Sequence, residues 1–537
     1  FVDEFPTLAN GKIDRNQLPE IQFSRPNLPN KQIQTSNNNE EIILGLFEKI
    51  LNFQGIGLQD NFFELGGNSL KVVSLLIEIE EVFSQKISFQ FFFNNATPES
   101  VLKSFSKIQL SEPVRSILDK IPQKKIVLSI PQKALFFFLQ AYPRNTSYNI
   151  AYSLKLNGAI NIERLEHALQ NIISKNQLLS SKIILEGGQP FFIPEKKKFK
   201  LILQTLEHIV PAEQEFFIDN SISDLASIPF VFGNELFKFK LYKIKTNKYV
   251  LGFVVNHLVF DGESLPNFIK QLAYFYNSLK KEKFHFPSLS SSEITLLRNE
   301  YKKTEDYKEN LGFWECYLKG VKSINGFPKI YLDKESTSFE SGTILTNINP
   351  DFRKKLERLS SEKKITLNVL LLSAFATTLY KIGNQKEYLI AMPFANRLSK
   401  AEQNSIGYLS NTLFIRSKFN SNKTFDELTN EIKSDTIQIL DNQQVSFDEL
   451  LKILRKEGIK FTLNTFKLLF AYHQTEHYSI DTSQLKIETK EVENKNAKCE
   501  LQFECFDNLD TITLKTTYDK RVINEDFALQ FTRLLKQ

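Results

Sequence analysis

The chain has 537 residues, of which 42% are hydrophobic and 24% are charged, and it carries a net charge of +6 at pH 7. This is the ordinary balance of globular proteins, and at about 100–200 residues per domain it predicts about three to five folding units. Basic residues form only short runs such as KKKFK (Lys196–Lys200), which are typical of a solvated surface and argue against nucleic acid as a partner. No uninterrupted apolar stretch of about 18 residues is present, so we expect no membrane-spanning segment.

Three cysteines, Cys316, Cys499 and Cys505, are too few to build a disulfide framework, and their spacing fits no common zinc pattern. We therefore expect a reducing, cytoplasmic setting and no metal. The chain begins at Phe1 with neither a signal peptide nor an initiator methionine. This beginning is what we expect of a piece of a longer protein.

The first segments in chain order are turn-rich and then linker-like. Residues 1–20 contain Pro6, Asn10-Gly11 and Pro19, which are turn formers. Residues 21–38 are rich in Pro, Asn, Gln and Ser with little apolar content, as in a linker.

Residues 39–109 change to a helical pattern, and three periodic segments predict a small all-α bundle. The first places Ile42, Ile43, Leu46, Phe47 and Ile50 on one stripe, and the others run over 69–83 and 98–105. The second follows Gly66-Gly67, which permits a tight turn, and Asn68 or Ser69 is suited to cap it. An exposed Ser69 hydroxyl at a helix start suits an incoming phosphate, but the residues alone fit equally well with a capping serine that has no chemistry.

Residues 110–125 resemble a second linker, and the remainder mixes strands and helices. Alternation over 236–245 and an apolar run over 249–260 predict strands, whereas 162–176 and 367–382 are helical in pattern. At this length we expect two lobes, 126–300 and 301–537, rather than one core.

The apolar run leads into VVNHLVFDGES (Val254–Ser264), in which His257, Asp261 and Gly262 stand together. A strand ending here would place a base at its tip. The alternative is an ordinary buried strand with a satisfied core histidine.

Two segments of the first part resemble nonribosomal peptide synthetases. DNFFELGGNSL (Asp60–Leu70) resembles their peptidyl carrier motif, which implies a covalent 4'-phosphopantetheine on Ser69, attached by a phosphopantetheinyl transferase. PTLANGKIDRNQLP (Pro6–Pro19) resembles the last motif of an adenylation domain, so residues 1–20 are interpreted as that domain's tail. In the family, the lysine that corresponds to Lys12 binds the acyl-adenylate. We expect Lys12 to be without function here and this chain to activate no amino acid, because the rest of an adenylation domain is not in the sequence.

NHLVFDG resembles the HHxxxDG motif of the condensation domains that follow such carriers. His257, Asp261 and Gly262 match it, and Asn256 replaces the first histidine. Weaker family motifs are present in the expected order over about 110–537. They are Ser129–Phe138, Gly312–Gly320, Ala391–Arg397, Ser405–Arg416 and Asn442–Leu450, the last without its histidine. The resemblance implies a two-lobed α/β fold similar to chloramphenicol acetyltransferase.

The resemblance also implies the chemistry. His257 takes a proton from an attacking amine or orients it, with general acid–base help of about 10²–10⁴-fold, while the donor arrives as a thioester on Ser69. Asp261 is expected to pair with Arg397 in a buried structural contact, Asn256 to hydrogen-bond locally, and Gly262 to leave room for a thioester arm. An upstream adenylation domain would supply the donor, with an L-configured donor expected, and a downstream carrier domain or a free amine would supply the acceptor.

Two alternatives stay open beside amide-forming elongation. A terminal condensation domain would release the product onto a free amine or alcohol, and a non-catalytic platform would only dock partners. An epimerising domain is disfavoured because it would keep both histidines, and a heterocyclising domain because it replaces the first with Asp. The family's RHExLRTxF and RDxSRNPLF segments are degraded here, at Lys175–Ile183, where its second arginine falls near Ser180, and at Phe461–Phe470. These losses leave substrate preference open.

Overall fold

A computed structural model describes residues 38–105, 125–195, 198–277, 288–322, 339–459, 466–474, 480–481, 485–508 and 511–537. Two compact units divide the chain, Phe1–Leu110 and Ser111–Gln537, fewer than the three to five that the length predicts. The difference arises because the second unit contains both predicted lobes. Lys12, the segment 1–20 and nearly all of the two predicted linkers lie outside the described residues.

Over its described residues, 38–105, the first unit is the expected helical bundle, with one more helix there than the pattern predicts. Its helices are α1 (Asn38–Leu51), α2 (Ser69–Phe83), α3 (Phe89–Asn94) and α4 (Pro98–Ser104). The rings of Phe47, Phe62 and Phe92 are fully buried, and the centroid of Phe62 lies 5.6 Å from that of Phe47 and 5.4 Å from that of Phe92. Helix α3 supplies Phe92, but its six residues are too few for a helical period to be recognised.

The second unit begins with a lobe built on a six-stranded sheet and a three-stranded sheet. The first has the order β12-β13-β2-β7-β6-β5, in which β12 is Ile480–Asp481 and β13 is Lys486–Glu491, and the second has the order β1-β4-β3. The strands from the first half of the unit are β1 (Ile126–Val127), β2 (Asn149–Asn157), β3 (Ser181–Glu186), β4 (Gln189–Pro194), β5 (Leu203–Thr205), β6 (Phe237–Lys245) and β7 (Lys248–Asn256). The helices are α5 (Ile130–Ala141), α6 (Ile162–Lys175), α7 (Pro211–Ala226) and α8 (Ser264–Asn277). The predicted helix 162–176 and strand 236–245 are confirmed to within one residue.

The other lobe has a six-stranded sheet of order β10-β9-β11-β14-β15-β8. Its strands are β8 (Ser341–Ile348), β9 (Glu387–Phe394), β10 (Asn411–Lys418), β11 (Leu468–Gln474), β14 (Leu501–Asp507) and β15 (Ile512–Asp519). The helices are α9 (Ser291–Tyr301), α10 (Glu305–Leu318), α11 (Pro350–Glu362), α12 (Leu367–Gly383), α13 (Lys400–Gln403), α14 (Phe425–Asp441), α15 (Phe447–Lys456) and α16 (Glu525–Lys536).

The lobes are not continuous along the chain, which differs from the expected boundary between 300 and 301. Strands β12 (Ile480–Asp481) and β13 (Lys486–Glu491) lie in the sheet of the first lobe, where β13 runs antiparallel to β2. The pairing occupies the edge of β2, whose backbone N–H and C=O groups would otherwise lack partners. The late segment therefore completes the early lobe.

Among the described residues, no single helix has the length and apolar composition needed to cross a bilayer. Helices α11 and α12 reach that threshold only when taken together, and they are bent by 101° at their junction.

Candidate active site and attachment serine

Ser69 is the first residue of α2 and is half-buried. The cap is Asn68, whose side chain accepts a 3.0 Å hydrogen bond from the backbone N–H of Lys71. Ser69 is therefore not needed as the cap. The first turn of α2 contains no acidic residue, so the positive end of the helix dipole next to Ser69 is not neutralised there. These features fit a phosphate ester on the Ser69 hydroxyl.

The two glycines before Ser69 are explained by local sterics. Gly66 has φ of +88°, which side chains rarely adopt, and its N–H donates to the carbonyl of Phe63. A Cβ on Gly67 would lie 2.2 Å from the Phe62 ring. The glycine pair thus lets the chain turn tightly over the core phenylalanine and enter α2.

His257 lies directly after the end of β7, at Asn256, and not inside a strand that runs to residue 260 as the pattern predicts. Leu258, Val259 and Phe260 are fully buried but form a turn, which the N–H of Val259 closes by donating to the carbonyl of Asn256. Buried turn residues look like strand residues in a sequence because both are apolar. The histidine is thus at the tip of a strand, as one of the two interpretations of the sequence requires.

Asn256, the residue in place of the family's first histidine, hydrogen-bonds to the neighbouring strand and to its own turn. Its side-chain Nδ2 donates to Oδ1 of Asn149 at 3.1 Å, and its Oδ1 accepts from the N–H of Leu258 at 3.1 Å. Asn256 is buried, so these two bonds pin the start of the turn that carries His257. The local hydrogen bonding predicted for Asn256 is present.

The imidazole of His257 packs against two tyrosines. Its ring centroid is 4.7 Å from that of Tyr408 and 6.2 Å from that of Tyr148. Nδ1 is buried and has no hydrogen-bond partner among the described residues. Burial, and then the nearby Lys498, lower the pKa of His257 to about 4, against a smaller opposing influence of Asp261 and the backbone carbonyls of His257 and Phe260. The ring is therefore neutral at pH 7.

Asp261 and Arg397 form the buried pair that the resemblance implies. Nη2 of Arg397 lies 2.7 Å from Oδ1 of Asp261 and Nη1 lies 3.0 Å from Oδ2, while the two side chains are 3% and 1% exposed. Burial by itself raises the pKa of Asp261, but Arg397 and the N–H donors hold it below its ordinary value. The carboxylate is therefore charged, and it joins a loop of the first lobe to the second.

Asp261 accepts more hydrogen bonds than Arg397 provides. The backbone N–H groups of Leu409 and Ser410 each donate to Oδ2 at 3.0 Å. The N–H and hydroxyl of Ser264 lie 3.1 and 2.8 Å from Oδ1. One carboxylate thus holds the loop before β10 against the loop after β7.

Gly262 is exposed, and a Cβ on it would meet no described atom within 4 Å. Its φ lies outside the left-handed range, so neither backbone conformation nor local packing requires glycine there. The proposed passage of a thioester arm beside Gly262 stays a prediction.

The degraded motifs keep structural roles where they are described. The backbone carbonyls of Gln443 and Val445, in the segment that lacks the family's histidine, accept 2.9 and 2.8 Å hydrogen bonds from the side chain of Asn411. Ser180, near the missing arginine, donates from its hydroxyl to the carbonyl of Gln177. Residues 461–465 of the last degraded segment lie outside the described residues.

Tyr148, Tyr408 and Lys498 are neighbours of His257 that the sequence does not reveal. Tyr408 lies within SIGYLSNTLFIR, a segment that the analysis singled out, but at a position that the family pattern leaves open. The contact of Tyr148 depends on the pairing of β2 with β7 and that of Tyr408 crosses between the two lobes, and neither leaves a local periodic signal.

Comparisons with known proteins match both units. The family model described as "Condensation domain" matches residues 122–537, and the one described as "Phosphopantetheine attachment site" matches residues 41–104. Bacitracin synthase 3 of Bacillus licheniformis is 25% identical over 100% of the chain. Surfactin synthase subunit 2 of Bacillus subtilis (strain 168) is 26% identical over 100% of the chain. The chain spans only 8% and 15% of these two proteins' lengths.

Among solved structures, the first condensation domain of the calcium-dependent antibiotic synthetase, in complex with a substrate analogue, superposes with a TM-score of 0.64. It is 13% identical, and the match covers 78% of this chain and 96% of that one. At this identity the superposition supports the fold.

Proposed function

Because the chain belongs to the condensation-domain family and carries a phosphopantetheine attachment domain before it, we propose that its second unit joins a thioester donor to an amine at His257. The chain is a carrier–condensation segment of the nonribosomal peptide synthetase type, and amide formation is the reaction of that type. Ser69 is the proposed attachment residue. Bound there, 4'-phosphopantetheine would supply the thiol that carries the donor acyl group.

The proposed reaction forms one C–N bond and breaks one C–S bond. The amine nitrogen attacks the thioester carbonyl, the thiol leaves, and the proton that the amine loses ends on the leaving sulfur, directly or through His257. An imidazole whose pKa is lowered to about 4 is a weak base, since a general base works best with a pKa near the operating pH. His257 therefore acts mainly by accepting a hydrogen bond that orients the neutral amine.

The observation that carries this proposal is the place of His257. It is a neutral, half-buried imidazole at the end of β7, and residues of both lobes surround it. The buried pair of Asp261 and Arg397 fixes the turn behind it. Such an imidazole can face two substrates without competing for a proton with the amine it must hold.

The test loads the chain with an aminoacyl-pantetheine through a phosphopantetheinyl transferase and then supplies an amine acceptor at saturation. Amide product is measured by mass spectrometry in wild type, His257→Ala and Asn256→Ala, with equal loading checked on the intact protein. We expect His257→Ala to lose about 10²-fold in rate, within the range of acid–base and positioning effects, and Asn256→Ala to lose less. Wild-type rates for His257→Ala would identify the unit as a docking platform instead.

The partners of the reaction are proposals of the same kind. An upstream adenylation domain would load the donor, and a downstream carrier domain or a free amine would offer the acceptor. Running the assay with a carrier-bound and a free acceptor separates elongation from release. We also propose a cytoplasmic location, which the free thiols of Cys316, Cys499 and Cys505 support.

A further inference from the structure

We propose that Tyr408 is a positioning residue for His257, a side chain of the second lobe whose ring fixes the imidazole's orientation and shields it from water. The inference rests on the proposed function, because it concerns how the proposed His257 site is built. It adds a residue at a position where the family pattern specifies no side chain.

The His257 ring is held differently from the histidine of a catalytic triad. In a Ser-His-Asp triad, a third residue orients the histidine through a hydrogen bond to one ring nitrogen. Here Nδ1 of His257 has no such partner among the described residues. Apart from the backbone carbonyls of His257 and Phe260, the ring is held by packing, and its nearest aromatic neighbour among the described residues is Tyr408, at 4.7 Å and tilted by 57°. Tyr148, from the segment before β2, is more distant at 6.2 Å.

Tyr408 itself is held firmly in place through its two neighbours in the chain. The hydroxyl oxygen of Ser264 lies 3.0 Å from both the N–H nitrogen and the carbonyl oxygen of Gly407. On the other side, the N–H groups of Leu409 and Ser410 are bound by Asp261. Both neighbours of Tyr408 are therefore tied to the loop that carries His257. The Tyr408 ring keeps its distance to the imidazole only while these bonds hold the two lobes together.

The charges around the imidazole also favour this role for Tyr408. The titratable groups that face the imidazole are Tyr148 on the side of the first lobe, Tyr408 and Lys498 from the second half of the chain, and Asp261 from its own loop. Burial is the main cause of the lowered pKa of His257, ahead of Lys498, whereas Asp261 acts in the opposite direction. The pKa of the Tyr408 hydroxyl is raised by burial, so this phenol is neutral and covers the imidazole without adding charge. Removing its ring should admit water and return the imidazole towards its ordinary pKa of 6.5.

The experiment is a titration of the histidine ring signals by NMR in the full chain, labelled with ¹³C in histidine only. The His257 signal is assigned by its loss in His257→Ala, and exposed His167 serves as the internal reference. We expect wild type and Tyr408→Phe to titrate alike, near 4. Tyr408→Ala should titrate at least about one pH unit higher, with His167 unchanged. Tyr408→Leu, which keeps an apolar side chain, is the second variant in case Tyr408→Ala does not fold.

An unchanged pKa of His257 in folded Tyr408→Ala or Tyr408→Leu overturns the inference. In the condensation assay at pH 7 with equal loading, we expect about a tenfold loss for Tyr408→Ala and near wild-type rates for Tyr408→Phe. Equal rates for Tyr408→Ala and wild type would also overturn it. The titration needs no turnover, so it judges Tyr408 even where His257→Ala remains active, an outcome that removes the proposed function alone.

Discussion

Replacing Asp261 by alanine should destabilise the condensation unit before it affects any chemical step. The substitution leaves the guanidinium of Arg397, which is 3% exposed, without its counter-charge. It also removes the acceptor for the backbone N–H groups of Leu409, Ser410 and Ser264. Both effects leave polar groups buried without partners, and for this reason removing one partner of a buried ion pair is strongly destabilising.

The expected loss is about 3–5 kcal/mol of unfolding free energy for Asp261→Ala. Removing the other partner of the pair, by Arg397→Met, should lower the unfolding free energy by about half as much. The carboxylate then keeps its remaining donors from Leu409, Ser410 and Ser264. The double variant should lose less than the sum of the two, since neither charge is then left alone. At about 2 °C per kcal/mol, Asp261→Ala lowers the melting temperature by about 6–10 °C.

The sequence contains a single tryptophan, Trp314, which is fully buried in the condensation unit. Its fluorescence during urea unfolding therefore reports on this unit and not on the carrier. Arg358→Ala is the matched control, since the side chains of its ion pair with Glu362 are 83% and 57% exposed and should contribute under about 1 kcal/mol. If Asp261→Ala unfolds at the wild-type urea concentration yet forms no amide, Asp261 acts directly in the reaction and our reasoning is refuted.

Three further outcomes are expected. Gly67→Ala should destabilise the carrier, because its Cβ would lie 2.2 Å from the Phe62 ring, whereas Gly45→Ala should not, because a Cβ there meets no atom within 4 Å. Hydrogen exchange of residues 38–105 should be faster in Gly67→Ala than in Gly45→Ala, and equal exchange would contradict the steric argument. Ser69→Ala should gain no mass on incubation with coenzyme A and a phosphopantetheinyl transferase, whereas a gain equal to that of wild type would place the attachment elsewhere. Because the pKa of His257 is lowered in the folded protein, the unfolded chain binds a proton on this residue at a higher pH than the folded chain does. His257 therefore lowers the free energy of unfolding as the pH falls from 6.5 to about 4. His257→Gln should therefore show a shallower decline of urea midpoint over that window, and an unchanged slope would show that the pKa of His257 is not lowered.

The sequence predicts the local parts of this structure well. Helix α2 is predicted with its bounds because a cap, a glycine turn and a helical period all coincide near Ser69. Helix α3 is missed because six residues carry no period, although Phe92 belongs to the core. The strand before His257 is predicted to extend too far because the buried turn after Asn256 is as apolar as the strand.

The parts of the site that depend on distant pairing are predicted only where a family pattern names them. Asp261 and Arg397 are 136 residues apart, and only the resemblance connects them. Tyr148 and Tyr408 occupy positions that no pattern marks. The contact of Tyr148 with His257 depends on the pairing of β2 with β7, and that of Tyr408 exists only after the two lobes have assembled. The pairing of β12 and β13 with the sheet of the first lobe cannot be predicted from the sequence either, because a strand's partner is set by packing and not by its own residues.

The pairing of β13 with β2 means that the sheet of the first lobe can be completed only late in the synthesis of the chain. Strand β2 ends at Asn157, but its partner β13 ends at Glu491, about 330 residues later. At about 5–20 residues per second, the nascent chain keeps that edge unpaired for about 15–70 s. An open edge of this kind is a template for wrong strand pairing, so we expect the emerging first lobe to depend on chaperones. A recombinant first lobe that stops before residue 486 would carry the same open edge permanently, and exchanging lobes between synthetases would need to move β12 and β13 with it.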